Sequence, residues 1–446
     1  AFARRTAWDL RPNRWAAAVA AARQAAEATE PAGETPARVG LPSPLTSAGR
    51  TPSPPPASMG ARRGLLDLTV TNPTAARLEY PRERILAAVA RPEVLEYNPE
   101  PRGAPAAREA VAAYYCARGS ARGSAQERPQ KTGVTPGQLL LTASTSEAYG
   151  FLFRLLAEPG GRVHVPCPSY PLLDHLAAIH DLELVPYPLW HAGEWQTDLA
   201  ELERSLSERS QVIVVIQPNN PTGSYVGAAA WGRLTALAAR RGLAIVADEV
   251  FFDYAWAPEA EELDLARAAE AEGPPVFLLN GLSKISALPQ IKLGWMAALG
   301  GGAAWRAEAL ARLEVMADAY LSVSAPAQAG AAELLAVRGE MQPRILARLR
   351  ANLAELDRQL AGQKWVTRLS GAGGWMAVLR LPVTAAGGSG EAWAEAALAA
   401  GVLAHPGEFY GFAGGAYLVV SLLTPAAAWA EGIGRLLAAV AAEAES

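Results

Sequence analysis

From Leu65 onward the chain alternates short, strongly apolar runs with longer amphipathic stretches, and this alternation restricts the fold more than any other feature. The clearest runs are QLLLT (138–142), RVHVP (162–166), LELVPY (182–187), QVIVVIQP (211–218), LAIVADEV (243–250) and PVFLLNG (275–281). Each has strand length, and near-continuous apolarity is what a strand covered on both faces requires. Between them, stretches such as 147–157 and 228–241 place apolar residues at i, i+3 and i+4, the helical repeat. The pattern predicts an α/β unit with a mainly parallel sheet between helical layers. Beyond Gly302 the texture changes to alanine- and leucine-rich helices followed by strand-like GGWMAVLRLP and AYLVVSLLTP, which predicts a second, smaller α+β unit.

The 446 residues, half of them hydrophobic and 19 % charged, suffice for such a two-part core. Forty basic against forty-four acidic residues leave a formal charge of −4, which gives no global attraction to nucleic acid or an anionic membrane. Two cysteines, Cys116 and Cys167, provide no disulfide framework and no metal-type spacing with the five histidines, so a cytoplasmic enzyme is expected. No run of about twenty apolar residues signals a membrane span. Residues 1–28 read as an N-terminal helical arm. Residues 29–63, rich in Pro, Ser and Ala, bury too little apolar surface to order themselves and read as a mobile insertion.

In a parallel α/β sheet, function collects at the carboxyl ends of strands. Five such ends carry suggestive residues. TASTSEA puts Ser144 and Thr145 at a strand-to-helix turn, where hydroxyls serve either as helix caps or as a phosphate cradle. PCPSYP offers Tyr170, which either packs or stacks on a planar ring. QPNNPTG carries Asn220 in a turn that Pro221 and Gly223 explain but two asparagines do not. Asp248 ends an apolar strand, where a carboxylate needs a cation, a donor or a cap. Lys284 and Lys292 follow the last run and are two of only four lysines among forty basic residues. Unlike arginine, a lysine amine can lose its proton and attack a carbonyl. Together these groups supply an amine, an acid for a ring nitrogen, an amide for a ring oxygen, an aromatic cover and a phosphate cradle. Pyridoxal 5′-phosphate has the five complementary features.

With those residues in place, the chain resembles the class I/II aminotransferases. The resemblance runs from about Leu66 to the C-terminus through NPT, YNPEPRG, TASTSEA, PCPSYP, NNPTG, DEVF, LSK and VVSLL. It implies a fold-type I pyridoxal-phosphate-dependent transferase: a large, mainly parallel seven-stranded sheet domain (81–302), a small α+β domain (303–446) and a connection (64–80) packed on the latter. It implies a homodimer with shared active sites, acting on an amino donor and a keto acceptor. Lys284 forms the Schiff base and moves the substrate proton, Asp248 pairs with the ring nitrogen, Asn220 with the ring oxygen, and Tyr170 covers the ring. Ser144, Thr145, Ser283 and Lys292 hold the phosphate, with Tyr97 of the neighbouring subunit.

Four positions depart from the family pattern. Lys292 stands where an arginine is usual, Gly281 where a serine is usual, and Phe251 where a tyrosine donates to the ring oxygen. Val419 stands where an arginine holds the substrate carboxylate, which leaves Arg14 and Arg102 as candidate replacements and keeps open a lyase, synthase or oxidase on the same scaffold. A regulatory protein built on this scaffold is disfavoured, because the N-terminal region holds one amphipathic helix and no helix-turn-helix.

Overall fold

Strands form where the apolar runs lie, and their side chains divide between two faces. The computed structural model describes residues 6, 13–27, 64–120, 134–257, 263–383 and 388–445. The segment read above as a mobile insertion lies outside the described residues. The strands are β1 (Leu66–Asp67), β2 (Leu139–Thr142), β3 (Arg162–Cys167), β4 (Glu183–His191), β5 (Trp195–Thr197), β6 (Ser210–Ile216) and β7 (Ala244–Asp248). They continue with β8 (Val276–Gly281), β9 (Gly294–Leu299), β10 (Thr367–Arg368), β11 (Met376–Leu381), β12 (Val402–Leu403), β13 (His405–Pro406) and β14 (Ala416–Ser421).

The large sheet has the order β2-β9-β8-β7-β6-β3-β4-β5. It therefore has eight strands, not the seven expected. The short β5, sequence WQT, folds back antiparallel on β4 as an edge hairpin and is too brief and polar to register as a strand in the sequence. The pairs β3–β4, β3–β6, β6–β7 and β7–β8 are parallel, whereas β9 runs antiparallel between β8 and β2. The carboxyl ends of β2, β8, β7, β6 and β3 thus share one edge of the sheet. Alternate residues enter separate cores: Leu141, Val215, Ile245 and Leu278 on one face, Leu140, Val214, Val246 and Phe277 on the other.

A second, antiparallel sheet has the order β10-β11-β14-β13, and β1 pairs in parallel with β12 beside it. The long helices Arg338–Leu360 and Ala426–Ala444 bury their apolar stripes in the first of the two cores. The helix Arg14–Glu27 is fixed to this part of the molecule by Trp15, whose ring lies edge-on to His405 at 5.9 Å, and by Arg23, which pairs with Asp67 at 3.1 Å. Among the described residues, no helix is long and apolar enough to cross a membrane.

Candidate active site

Asp248 ends β7 and is 9 % exposed. Its carboxylate accepts the Val250 N–H at 3.0 Å and the Tyr149 hydroxyl at 3.2 Å. Burial raises its pKa to about 6, a rise that the two hydrogen bonds and the Lys284 charge only partly offset. Lys284 lies in the one-turn helix Leu282–Ile285 that follows β8. Burial lowers its amine to about 8 against the opposing pull of Asp248. A buried amine and a buried carboxyl thus interact at the strand ends, each pushed toward its neutral form by desolvation.

Aromatic rings wall the amine. Nζ of Lys284 is 4.9 Å from the ring centre of Trp375 and 5.4 Å from that of Phe251, and both Phe251 and Tyr254 pack edge-to-face on Trp375. The lysine backbone is anchored as well. The Tyr254 hydroxyl donates to Lys284 O at 2.5 Å, Gln342 Nε2 to Ile285 O at 3.0 Å, and the Tyr80 hydroxyl to Ala287 O at 2.8 Å. Tyr254, three residues after Phe251, therefore spends its hydroxyl on the backbone and does not restore the tyrosine missing at Phe251.

The loop after β6 carries Asn220, whose Oδ1 is buried with no partner. Asn219 makes the turn by accepting from the Thr222 hydroxyl at 3.0 Å. Gly223, at φ +72°, has its carbonyl capped by the N–H groups of Ala372 and Gly373, and a Cβ there would lie 2.5 Å from Gly373 O. This close approach stitches residues 371–374 to the Asn220 loop and delivers Trp375 to Lys284. Sequence reasoning missed both Trp375 and Tyr149. The first lies within the strand-like GGWMAVLRLP and the second within the helical stretch 147–157, and the doubled glycine before Trp375 is the one local signal of a close backbone approach.

At the end of β2, Ser144 caps the helix Thr145–Leu156 by accepting the Glu147 N–H at 3.2 Å, and Glu147 reciprocates on the Ala143 N–H at 2.7 Å. Ser144 thus serves as a helix cap, with Glu147 reaching one residue further back, and the helix N-terminus lies at Thr145. Gly294 faces Gly281 across the β8–β9 pair and abuts Ser144 and Thr145, where a Cβ would come within 3.0–3.2 Å of their backbone. Ser144, Thr145, Gly281 and the Ser283–Lys284 turn are thus brought side by side. A serine at Gly281 would press its Cβ to 2.9 Å from Leu293 O, which accounts for the glycine. Lys292 is exposed, in a left-handed conformation at φ +61°.

Tyr170 follows β3 and is 46 % exposed, its ring against Phe409 at 6.4 Å and Tyr410 at 6.5 Å. Tyr97, 84 % exposed, lines a cavity of about 230 Å³ with Pro99, Leu141 and Val323. Val419 is fully buried in an apolar cluster with Leu369, Met376, Val378 and Tyr410. Of the candidate replacement cations, Arg14 pairs with Glu395 at 2.8 Å near the surface, and Arg102 donates through Nη2 to the carbonyls of Gly137 and Leu139.

An eight-stranded sheet with its chemistry at the strand ends and a small antiparallel sheet beside it define a fold-type I transferase. Solved structures of aminotransferases share it. The aspartate aminotransferase of Thermus thermophilus matches with a TM-score of 0.74 at 19 % identity, covering 98 % of this chain and 99 % of that one. The tyrosine aminotransferase of Leishmania infantum matches with a TM-score of 0.74 at 19 % identity, covering 85 % and 92 %. The family model for aminotransferase class I and II matches residues 64–413, and the chain belongs to that family. Its members use pyridoxal 5′-phosphate. Among curated relatives, the tyrosine aminotransferase of Bos taurus is 29 % identical over 189 residues, 42 % of this chain and 39 % of that protein. The S-alkyl-thiohydroximate lyase of Arabidopsis thaliana is 30 % identical over 164 residues, 37 % and 35 % respectively. In both cases the match spans well under half of the relative's length.

Proposed function

We propose that the chain is a pyridoxal-phosphate-dependent aminotransferase acting on an amino acid or a related amine. The observation that carries the proposal is the Lys284–Asp248 pair, whose amine and carboxyl are brought by burial to about 8 and about 6. The cofactor's fit is supported by three features: the unpartnered buried Oδ1 of Asn220, the helix N-terminus at Thr145, and the amine inside its aromatic wall.

When bound, the cofactor would supply an aldehyde and an electron-accepting ring, and the residues named here would hold and orient it. Lys284 then carries the proton to and from Cα, a task suited to an amine near neutrality. Asp248 holds a proton at the ring nitrogen, with its carboxylate kept in line by Tyr149 and the Val250 N–H. Asn220 binds the ring oxygen and Tyr170 covers the ring. Ser144, Thr145, Ser283 and Lys292 hold the phosphate, joined by Tyr97 across a homodimer. Exposed Leu95 and Tyr97, 87 % and 84 % accessible, favour such a partner. The low cysteine count agrees with the cytoplasmic setting proposed here.

A second reading, a lyase on the same site, is favoured by one observation: the residue at the carboxylate-binding position, Val419, sits in an apolar cluster. Single-turnover reaction of the loaded protein with a panel of amino acids and amines separates the two. Transamination leaves stoichiometric pyridoxamine phosphate and a keto product with the substrate skeleton intact. Release of a side-chain fragment with the cofactor unchanged would replace the proposal with the lyase.

A further inference from the structure

The residue after Asp248 makes a network that the proposed reaction does not use. Glu249 is fully buried and turns to the opposite face of the sheet from Tyr149. Its carboxylate receives Arg118 Nη1 at 2.8 Å and Gln217 Nε2 at 2.9 Å. Arg118, from the helix Pro105–Ser120, also binds Asp264 at 2.5 Å and lies over the rings of Phe252 and Tyr115 at 4.1 and 4.9 Å. The backbone of Glu249 is tied too: its N–H donates to Leu279 O at 2.9 Å, and its carbonyl accepts Asn280 Nδ2 at 2.8 Å. The same Asn280 side chain accepts the Gly281 N–H at 2.8 Å, at the start of the turn that carries Lys284. Gln217, whose N–H donates to Asp248 O at 2.9 Å, begins the loop that carries Asn220.

Glu249 therefore ties together three strand ends, those of β6, β7 and β8, which carry Asn220, Asp248 and Lys284. A buried ion pair contributes little net stability once its desolvation is counted, so its presence here asks for another role. Fixing geometry is a role it suits. From this arrangement, and resting on the reading of the site given above, we infer that Glu249 is a positioning residue. Its carboxylate, anchored by Arg118, holds Gln217, and its backbone carbonyl, fixed in place by that anchor, holds Asn280; together these set the spacing of the three groups that meet the cofactor.

The test compares Asn280→Ser, which cuts the tie and leaves the ion pair, with Glu249→Gln and with Arg118→Lys, which keeps the charge. Two readouts are independent of turnover. One is the pH midpoint for labelling of Lys284 by an amine-reactive reagent in the full chain stripped of cofactor, read by peptide mass spectrometry. The other is the affinity for pyridoxal phosphate. The charged and titratable groups around the probes are Asp248 and Tyr149 on one face, and Arg118, Asp264, Tyr114 and Tyr115 on the other. In Asn280→Ser and Glu249→Gln, water reaching the loosened site raises the Lys284 midpoint by about one pH unit, and cofactor binding weakens about tenfold. Arg118→Lys stays nearer the parent. A folded Asn280→Ser protein with unmoved midpoint and affinity overturns the inference, even if its melting temperature falls, and it decides the matter should Glu249→Gln not fold. If the parent chain binds no pyridoxal phosphate, the functional reading fails, while the labelling comparison still judges the tie.

Discussion

Replacing Asp248 by asparagine should make the cofactor-free protein more stable while disabling it. The carboxyl is raised from 3.8 to about 6 because burial disfavours its charge. The native state therefore holds this proton more tightly than the unfolded chain does. The stabilisation that follows is complete below pH 3.8 and is lost as the pH rises through about 6. At pH 8 the ionised group costs about 3 kcal/mol relative to a neutral one, and at pH 5 about half of that. An asparagine keeps the Val250 hydrogen bond, and the Tyr149 hydroxyl can turn to accept from its amide. The Lys284 amine loses an opposite charge, which trims the gain. Urea unfolding of the stripped full chain should show Asp248→Asn more stable by about 2–3 kcal/mol at pH 8, narrowing at pH 5. Turnover of the loaded enzyme should fall by about 10²–10³, the loss typical of one preorganised electrostatic group. A variant less stable than the parent at pH 8, or a difference that does not change with pH, would refute the claim that this carboxylate is held against its own desolvation.

Other expectations follow from the same geometry. Phe251→Tyr adds a hydroxyl donor where the ring oxygen is expected, so the pH-dependent visible transition of the bound cofactor should move to lower pH; an unmoved midpoint in a spectrophotometric titration counts against that placement. Gly281→Ser should lower stability by about 1–3 kcal/mol despite the added hydroxyl, since its Cβ meets the Leu293 carbonyl at 2.9 Å; a melting temperature equal to the parent's would contradict this. Tyr97→Ala should weaken pyridoxal phosphate binding while each subunit still folds, because within one subunit the side chain is 84 % exposed; equilibrium dialysis and circular dichroism read the two effects.

The parts of the fold that are local in the chain were legible in the sequence. The runs 162–166 and 275–281 became β3 and β8, because near-continuous apolarity leaves few alternatives to a strand buried on both faces. The residues at the strand ends likewise met at one edge, since parallel strands bring their carboxyl ends together. What the sequence could not disclose depends on pieces far apart along the chain. Trp375 reaches Lys284 because the glycines before it dock on Gly223, and Arg118 reaches Glu249 from a helix more than a hundred residues earlier. That Arg102 donates through Nη2 to the carbonyls of Gly137 and Leu139 is likewise set by the fold and not by its local sequence. The eighth strand was invisible because three residues of mixed polarity carry almost no periodic signal.

The account turns on which nitrogen the cofactor joins. Incubating the purified chain with pyridoxal phosphate, reducing it with borohydride and mapping the peptides by mass spectrometry addresses this directly. The prediction is one modified lysine, Lys284, with its labelling abolished in Lys284→Ala. A cofactor mass found on Lys292, Lys131 or Lys364 instead, or on no lysine at all, would contradict it.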